Sequence, residues 1–423
     1  MRALLVPVAA LLVSQALLIA GHGLQLTLLP LRATLEGFSD TQVAFTGSAY
    51  FVGFLLGCLV TPRIVQQVGH IRTFAVMASS YSAAALVFDL APHFTTWLVL
   101  RTLSGIAISG LYMVLESWLN ERATQQTRGT LLGIYTLINL LMMVVGQMLV
   151  NVAAPQASTL FAIAAVLISV AVLPVSLSTA IAPAAPASAR VDVGRVWRIA
   201  PVALGGAIAS GVVMGAFWSL APVYGRKIGF DTFEITMLMT APVIGGALLQ
   251  IPLGRLSDLI DRRLVLLGGS IAGMLASLAL VPVSDGTQTV LMMGLWGAFT
   301  MTLYAICVAH ANDHAEPGEF VTIATVILLV HGGAGAVGGP LASLCMDVIG
   351  PGGLFACCAV VLALFSAGTA HRLATRTRPV LDLTEPFVAV TELTPAALEM
   401  DPRLDPGEEG TERDPAGPVA SLA

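Results

Sequence analysis

Long apolar stretches separated by short polar segments make up most of this chain. Each holds about 20 residues, enough for an α-helix to cross the hydrocarbon core of a bilayer. The alternation that marks barrel strands is absent, and an unpaired backbone in lipid has no hydrogen-bond partners, so helices are required. The pattern predicts twelve spans, near residues 3–30, 42–62, 73–91, 94–119, 129–152, 158–180, 199–225, 233–254, 264–283, 287–311, 320–347 and 352–371.

The second half of the chain repeats the spacing of the first. A shift of 192 positions places Gly215 on Gly23 (215 − 23 = 192) and Tyr304 on Tyr112, and it aligns more than 120 residues without a gap. The matched residues are mostly Gly and Pro, which constrain the backbone, so the repeat is one of architecture. Two like halves of six spans are the plan of a membrane transporter that binds its substrate between the halves.

The predicted fold is an all-α polytopic membrane protein with two pseudo-symmetric six-helix bundles. The segment 181–197 is rich in Ala and Pro and is interpreted as a cytoplasmic linker. The tail holds 10 acids and 4 bases and has no sustained apolar run, which predicts disorder. The predicted boundaries are 1–180 for the first bundle, 181–197 for the linker, 198–372 for the second bundle and 373–423 for the acidic tail.

Composition and charge agree with a membrane location. Hydrophobic residues make up 56% of the chain and charged residues 11%, less than half the share that covers a soluble domain. Fourteen arginines flank one side of the spans, whereas Arg32, Arg226 and Lys227 lie on the other. This bias predicts a cell (inner) membrane protein with both termini cytoplasmic. No basic surface indicates nucleic-acid binding, and the five cysteines show no metal-ligand spacing.

The loop between spans 8 and 9 carries a recognisable motif. Residues 254–263 read GRLSDLIDRR, a glycine followed by an acid and a basic cluster. This resembles the loop signature of the major facilitator superfamily. In the equivalent loop of the first half Gln66 stands where the acid belongs, and this departure is similar to the YcaD-like branch. Further segments similar to that branch are 101–105, 116–118, 128–129, 146–147, 303–304 and 338–340.

The resemblance covers about residues 1–372 and implies roles for several charged residues. Asp258 would gate the cytoplasmic side against the positive end of a helix from the other half, with Arg128 as its neighbour. Arg262 and Arg263 belong to the same predicted gate and also serve as topology anchors, and anchoring alone is the alternative for this loop. Arg101 would face the cavity and take part in proton coupling. A snorkelling arginine that reaches the outer interface is the alternative for Arg101.

Glu116 lies on the same span as Arg101 and broadly on the same face, about 22 Å further along. Its alternatives are a structural or gating ion pair with Arg122 or Arg128 and a titrating coupling carboxylate. Span histidines such as His22, His310 and His331 could relay protons or be packed residues. Predicted cavity residues are Gln15, His22, Gln25, Tyr112, Asn139, Gln147, Trp218 and Tyr304, for which helix packing is an equal alternative.

These observations predict a secondary active transporter that moves a small solute by alternating access. It is expected to be proton-coupled, monomeric and without cofactor or metal, and export of metabolites or drugs is one direction it could serve. An uncoupled facilitator and a transporter-like solute sensor remain alternatives. A membrane enzyme is not supported, because the sequence shows no interfacial cluster of nucleophiles, His and Asp.

Overall fold

The computed structural model describes residues 8–124, 126–177, 191–282, 285–315, 319–375 and 387. Within these ranges the chain is helical, without strands, and twelve helices are long and apolar enough to cross a membrane. They are Ala9–Leu35, Asp40–Val68, His70–Leu90, Phe94–Arg122, Arg128–Val152, Ser158–Ser176, Pro201–Lys227, Thr232–Leu259, Arg262–Leu280, Gly286–Asn312, Phe320–Ile349 and Gly353–Thr375, here called spans 1 to 12. The all-α polytopic fold is confirmed.

Several helices extend beyond the apolar stretches that predicted them. Span 2 was expected over 42–62 and runs from Asp40 to Val68. Hydropathy marks only the lipid-buried part of a helix, whereas the backbone hydrogen bonds continue through its polar ends. Span 5 ends in a 3₁₀ turn, Leu149–Val152, and span 10 consists of Gly286–Thr300 and Leu303–Asn312. Span 6 likewise consists of Ser158–Val170 and Val172–Ser176.

Repeat-related helices begin in the same way in both halves. The Ser39 side chain accepts a hydrogen bond from the backbone N–H of Gln42 at the start of span 2, and the Gln42 side chain accepts one from Ser39. Asp231 and Glu234 form the same reciprocal capping box at the start of span 8. Both pairs are related by the shift of 192 (231 − 39 = 192). Such boxes satisfy N–H groups that a helix start leaves without partners.

Glycines at helix crossings show that the two halves are packed alike. A side chain at Gly53 in span 2 would strike the backbone of Thr102 in span 4, and one at Gly245 in span 8 would strike the backbone of Gly294 in span 10. Small residues let helices approach closely where apolar burial cannot drive association in lipid. Both contacts are related by 192 positions (294 − 102 = 192), so each half builds the same bundle.

The two bundles meet through spans 1, 2 and 5 of the first and spans 7, 8 and 11 of the second. A short helix, Val193–Ile199, precedes span 7 and is capped by the Asp192 side chain. Residues 181–190 of the predicted linker and the predicted tail beyond Thr375, except Phe387, lie outside the described residues. We call the side where span 1 begins the terminal face and the side where it ends the opposite face.

Candidate functional site

A cavity of about 120 Å³ lies between the two bundles. Its walls come from spans 1, 2, 4 and 5 of the first bundle and from spans 7 and 11 of the second. The lining residues are His22, Leu26, Tyr50, Phe51, Phe54, Arg101, Tyr112, Met143, Trp218, Ser219, Leu328, His331 and Gly332. A space shared by both halves is where a transporter of this architecture holds its solute.

Among the described residues, Arg101 is the single permanently charged side chain in the wall of this cavity, and it is only 4% exposed. Its Nε donates to the carbonyl oxygen of Thr46 over 3.3 Å, and its guanidinium carbon lies 4.7 Å from the centre of the Tyr50 ring. The ring face attracts a cation and holds the guanidinium in place. No carboxylate in the described part of the chain pairs with Arg101.

His22 connects the arginine to a row of tyrosines. Its Nδ1 lies 2.6 Å from the Tyr81 hydroxyl and its Nε2 lies 3.2 Å from the Tyr50 hydroxyl. The His22 and Tyr50 rings are stacked, with centres 5.7 Å apart. Both ring nitrogens are therefore engaged, and a continuous contact runs from Tyr81 through His22 and Tyr50 to Arg101.

A second polar cluster surrounds Glu116, outside the lining of the cavity. The Tyr135 hydroxyl donates to Glu116 Oε1 over 2.6 Å. Gln15 donates from Nε2 to Asn139 Oδ1 over 2.6 Å and to the Tyr135 hydroxyl over 3.3 Å. Spans 1, 4 and 5 thus share one buried network around the carboxylate of Glu116.

The structure separates the predicted cavity residues into groups. His22, Tyr112 and Trp218 line the cavity, whereas the Tyr304 ring lies 4.8 Å from that of His331 and is fully buried. Gln15 and Asn139 belong to the cluster around Glu116. Gln25 is buried with neither amide atom bonded within the described residues, and Gln147 contacts the facing bundle. Roles for these residues in binding stay predictions.

Contacts between the bundles close the cavity toward the opposite face. Lys227 at the end of span 7 forms an ion pair with Asp40 at the start of span 2. The Ser48 hydroxyl donates to the carbonyl oxygen of Ala336 over 2.5 Å, joining spans 2 and 11. In the equivalent position of the second half, the Thr240 hydroxyl donates to Gln147 Oε1 over 3.1 Å and joins spans 8 and 5.

On the terminal face, the predicted gate residues bond within the second half. Arg262 contacts Asp258 over 3.2 Å and Asp313 over 2.8 Å, and it is 1% exposed. The second oxygen of Asp258 accepts from the backbone N–H of Phe387 over 3.0 Å. Arg128 of the first bundle is not among the partners of Asp258 in the described part of the chain. A gate between Asp258 and the first bundle therefore stays a prediction for another conformation.

Arg263, the second arginine of the basic cluster that ends this motif, binds Asp261 instead. Its Nε lies 3.1 Å from both carboxylate oxygens and its Nη2 lies 2.8 Å from one of them. Burial by itself would raise the pKa of Asp261, but the hydrogen bonds and the charge of Arg263 outweigh burial and lower it. Asp261 also caps the start of span 9, so the pair fixes the turn between spans 8 and 9.

Sequence reasoning did not select Tyr50, Tyr81 or Ser219 as site residues. Each is a polar side chain within an apolar span, which is a weak signal because such residues are also common in helix packing. Tyr50 and Tyr81 lie on different spans, and the hydroxyl of each contacts His22. No spacing along the chain could have shown that contact.

Comparison with known proteins places this architecture in a family. The sequence profile of the Major Facilitator Superfamily matches residues 11–231 and 202–393. The uncharacterized MFS-type transporter YcaD of Escherichia coli (strain K12 / DH10B) is 28% identical over 327 residues, which cover 77% of this chain and 85% of that protein.

Solved structures share the fold. The nucleoside transporter NupG superposes with a TM-score of 0.71 at 12% identity, over 86% of this chain and 98% of that one. A bacterial homolog of the human lysosomal transporter Spinster, inward-facing and occupied, gives 0.69 at 15% identity, over 88% and 98%. A D-xylose–proton symporter gives 0.67 at 11% identity, over 85% and 96%.

Proposed function

The chain belongs to the Major Facilitator Superfamily, and we propose that it moves a small solute across the cytoplasmic membrane by alternating access, driven by the proton gradient. The observation that carries the proposal is the cavity lined by both bundles beneath a closed opposite face. Rocking of the halves around such a site would expose it to one side at a time. The arginine bias assigns the terminal face to the cytoplasm.

Arg101 is proposed to act in coupling through its charge. Arginine stays protonated in proteins, so Arg101 itself does not carry the proton. His22 is a titratable group of the cavity wall, and it contacts Tyr50, on whose ring Arg101 lies. We therefore assign the coupled proton to His22. Glu116, which is bonded to Tyr135 away from the wall, is the second candidate.

Sided thiol labelling tests alternating access without a known solute. Leu328→Cys, in a chain whose five native cysteines are replaced, puts one thiol in the cavity wall. A membrane-impermeant maleimide is then added to right-side-out or inverted vesicles. Alternating access predicts that any variant or solute that speeds labelling from one face slows it from the other. A variant or solute that speeds labelling from both faces together would indicate a channel and contradict the proposal.

Coupling is tested in liposomes that hold the purified protein and a pH-sensitive dye. A panel of drugs, sugars, amino acids and organic acids is added outside, and lumenal pH is followed. We expect a compound-dependent proton flux that Arg101→Ala and His22→Gln abolish and that Glu116→Gln retains. Uptake of a labelled solute without proton flux would instead indicate an uncoupled facilitator, and no uptake of any solute would favour the sensor.

A further inference from the structure

Resting on the proposed transport function, we propose that the cavity binds a small organic monoanion with an apolar body, its anionic group held by the Arg101 guanidinium. Three properties of the cavity support this substrate class. They are the uncompensated charge of Arg101, the absence of acids from the described lining, and the apolar surface that forms most of the rest of the wall.

The buried charge of Arg101 has no carboxylate partner within the described residues. Arg101 is almost fully buried, and within the described residues its one hydrogen bond is from Nε to Thr46. A buried guanidinium without a counter-charge is costly, so such residues in spans face a partner, a watery cavity or a ligand. Its terminal nitrogens form a planar fork that matches the two oxygens of a carboxylate. A bound anion would supply the missing counter-charge.

The same geometry disfavours other solute classes. A cation would be repelled by Arg101 and would find no carboxylate in the described lining. A sugar would need many hydrogen-bond partners, yet Phe51, Phe54, Trp218 and Leu328 contribute apolar surface. Burying unpaired hydroxyls against such a surface is unfavourable.

Two further polar atoms in the cavity wall suit a ligand with one polar group. The Tyr112 hydroxyl is buried without a hydrogen-bond partner within the described residues, and so is the Ser219 hydroxyl. Both side chains line the cavity, one from each bundle. They offer one or two hydrogen bonds beyond Arg101. The volume of about 120 Å³ lies below the roughly 300–1,000 Å³ of drug-sized sites, which limits the ligand to a small molecule.

A set of three ligands of similar size that share one ring tests the charge. Benzoate, benzamide and benzylamine carry negative, zero and positive charge on the same ring, and their binding to the full chain in nanodiscs is measured by calorimetry. We expect benzoate to bind about 10- to 100-fold more tightly than benzamide, the range for a hydrogen bond to a charged group. Benzylamine should bind most weakly.

Variants of the protein distinguish the contribution of the anionic group to binding from that of the apolar body of the ligand. Arg101→Gln should remove the preference for benzoate and weaken benzamide binding far less, while Arg101→Lys should keep part of the preference. Trp218→Ala should weaken benzoate and benzamide alike, because it removes apolar contact only. Arg226→Gln removes the same charge from an exposed position at the end of span 7 and should change nothing, which makes it the matched control.

Several outcomes would overturn the assignment. They are benzamide or benzylamine binding as tightly as benzoate, a benzoate preference that survives Arg101→Gln, and no benzoate binding up to about 10 mM. The sided labelling of Leu328→Cys needs no ligand, so its result stands apart from this one. Normal alternation without benzoate binding would refute the substrate class alone, whereas loss of alternation would refute the transport function.

Discussion

Replacing Gly47 with alanine should shift the protein toward a state that is open on the opposite face. Gly47 lies in span 2 at the contact between the bundles, directly against Ser219 of span 7. A Cβ added there would lie 2.7 Å from the Ser219 Cβ, whereas carbon atoms pack best at about 3.5–4.0 Å. Spans 2 and 7 would have to separate by about 1 Å, because the Ser219 Cβ cannot rotate away.

The size of the shift follows from this overlap. Inserting a methyl group into a packed contact costs about 1–3 kcal/mol. The cost applies only while the opposite face is closed, since opening separates the two spans. The gain of about 1 kcal/mol that alanine brings to a helix applies to both states and cancels. The ratio of open to closed molecules should therefore rise roughly 5- to 150-fold.

The assay is maleimide labelling of Leu328→Cys from the opposite face, compared with and without Gly47→Ala. We expect the labelling rate to rise at least about fivefold. Gly53→Ala is the first control, because its Cβ would strike Thr102 inside the first bundle. It should lower thermal stability without changing the labelling rate. Gly333→Ala is the second control, since nothing in the described part of the chain lies within 4 Å of its added Cβ.

Two results would refute this reasoning. The first is a labelling rate in Gly47→Ala equal to that of the parent, which would mean that the bundles absorb the methyl group without opening. The second is an equal rise in Gly53→Ala, which would mean that loss of stability by itself exposes the cavity.

Three further predictions concern the charged and hydrogen-bonded groups. Asp40→Asn should speed labelling from the opposite face only slightly, because the ion pair with Lys227 is partly exposed and such pairs contribute about 0–1 kcal/mol. The double variant Asp40→Lys, Lys227→Asp, which exchanges the two charges, should label at the parental rate. Glu116→Leu should lower the unfolding free energy by about 1–3 kcal/mol, because it leaves the Tyr135 hydroxyl without an acceptor. Glu116→Gln keeps an acceptor oxygen, so a thermal melt in which it loses as much stability as Glu116→Leu would contradict this. Folding lowers the pKa of Asp261, so its contribution to the free energy of unfolding is present above the unfolded pKa of about 3.9 and is lost as pH falls through the folded pKa. Melting temperatures of Asp261→Asn should therefore approach those of the parent in acid. A difference in melting temperature that is constant with pH would exclude the effect.

The tail residue Phe387 contacts the end of span 8, which contains the predicted gate residue Asp258. Its ring lies against Gly254, and its backbone N–H bonds to Asp258. While that contact holds, one oxygen of Asp258 is bonded to the tail and the other contacts Arg262 of the second half. The sequence motif identified Asp258, but only the folded chain shows which group it binds in this conformation.

The sequence by itself determined the architecture. Twelve apolar stretches and a repeat of 192 positions are enough to predict two like bundles, because each span must satisfy its own backbone and recurring glycines within spans, such as Gly53 and Gly245, mark close crossings. The paired capping boxes and glycine contacts follow the same repeat. These features are local to one helix or one crossing and can be identified along the chain.

The tertiary structure alone decided the composition of the site. In lipid both the packed face and the outer face of a helix are apolar, so the sequence does not reveal how each span is rotated. Gln15 and Gln147 are both buried polar residues of spans, yet one supports Glu116 and the other joins the bundles. The meeting of His22, Tyr50 and Arg101 depends on the rotation of three helices, which only their packing fixes.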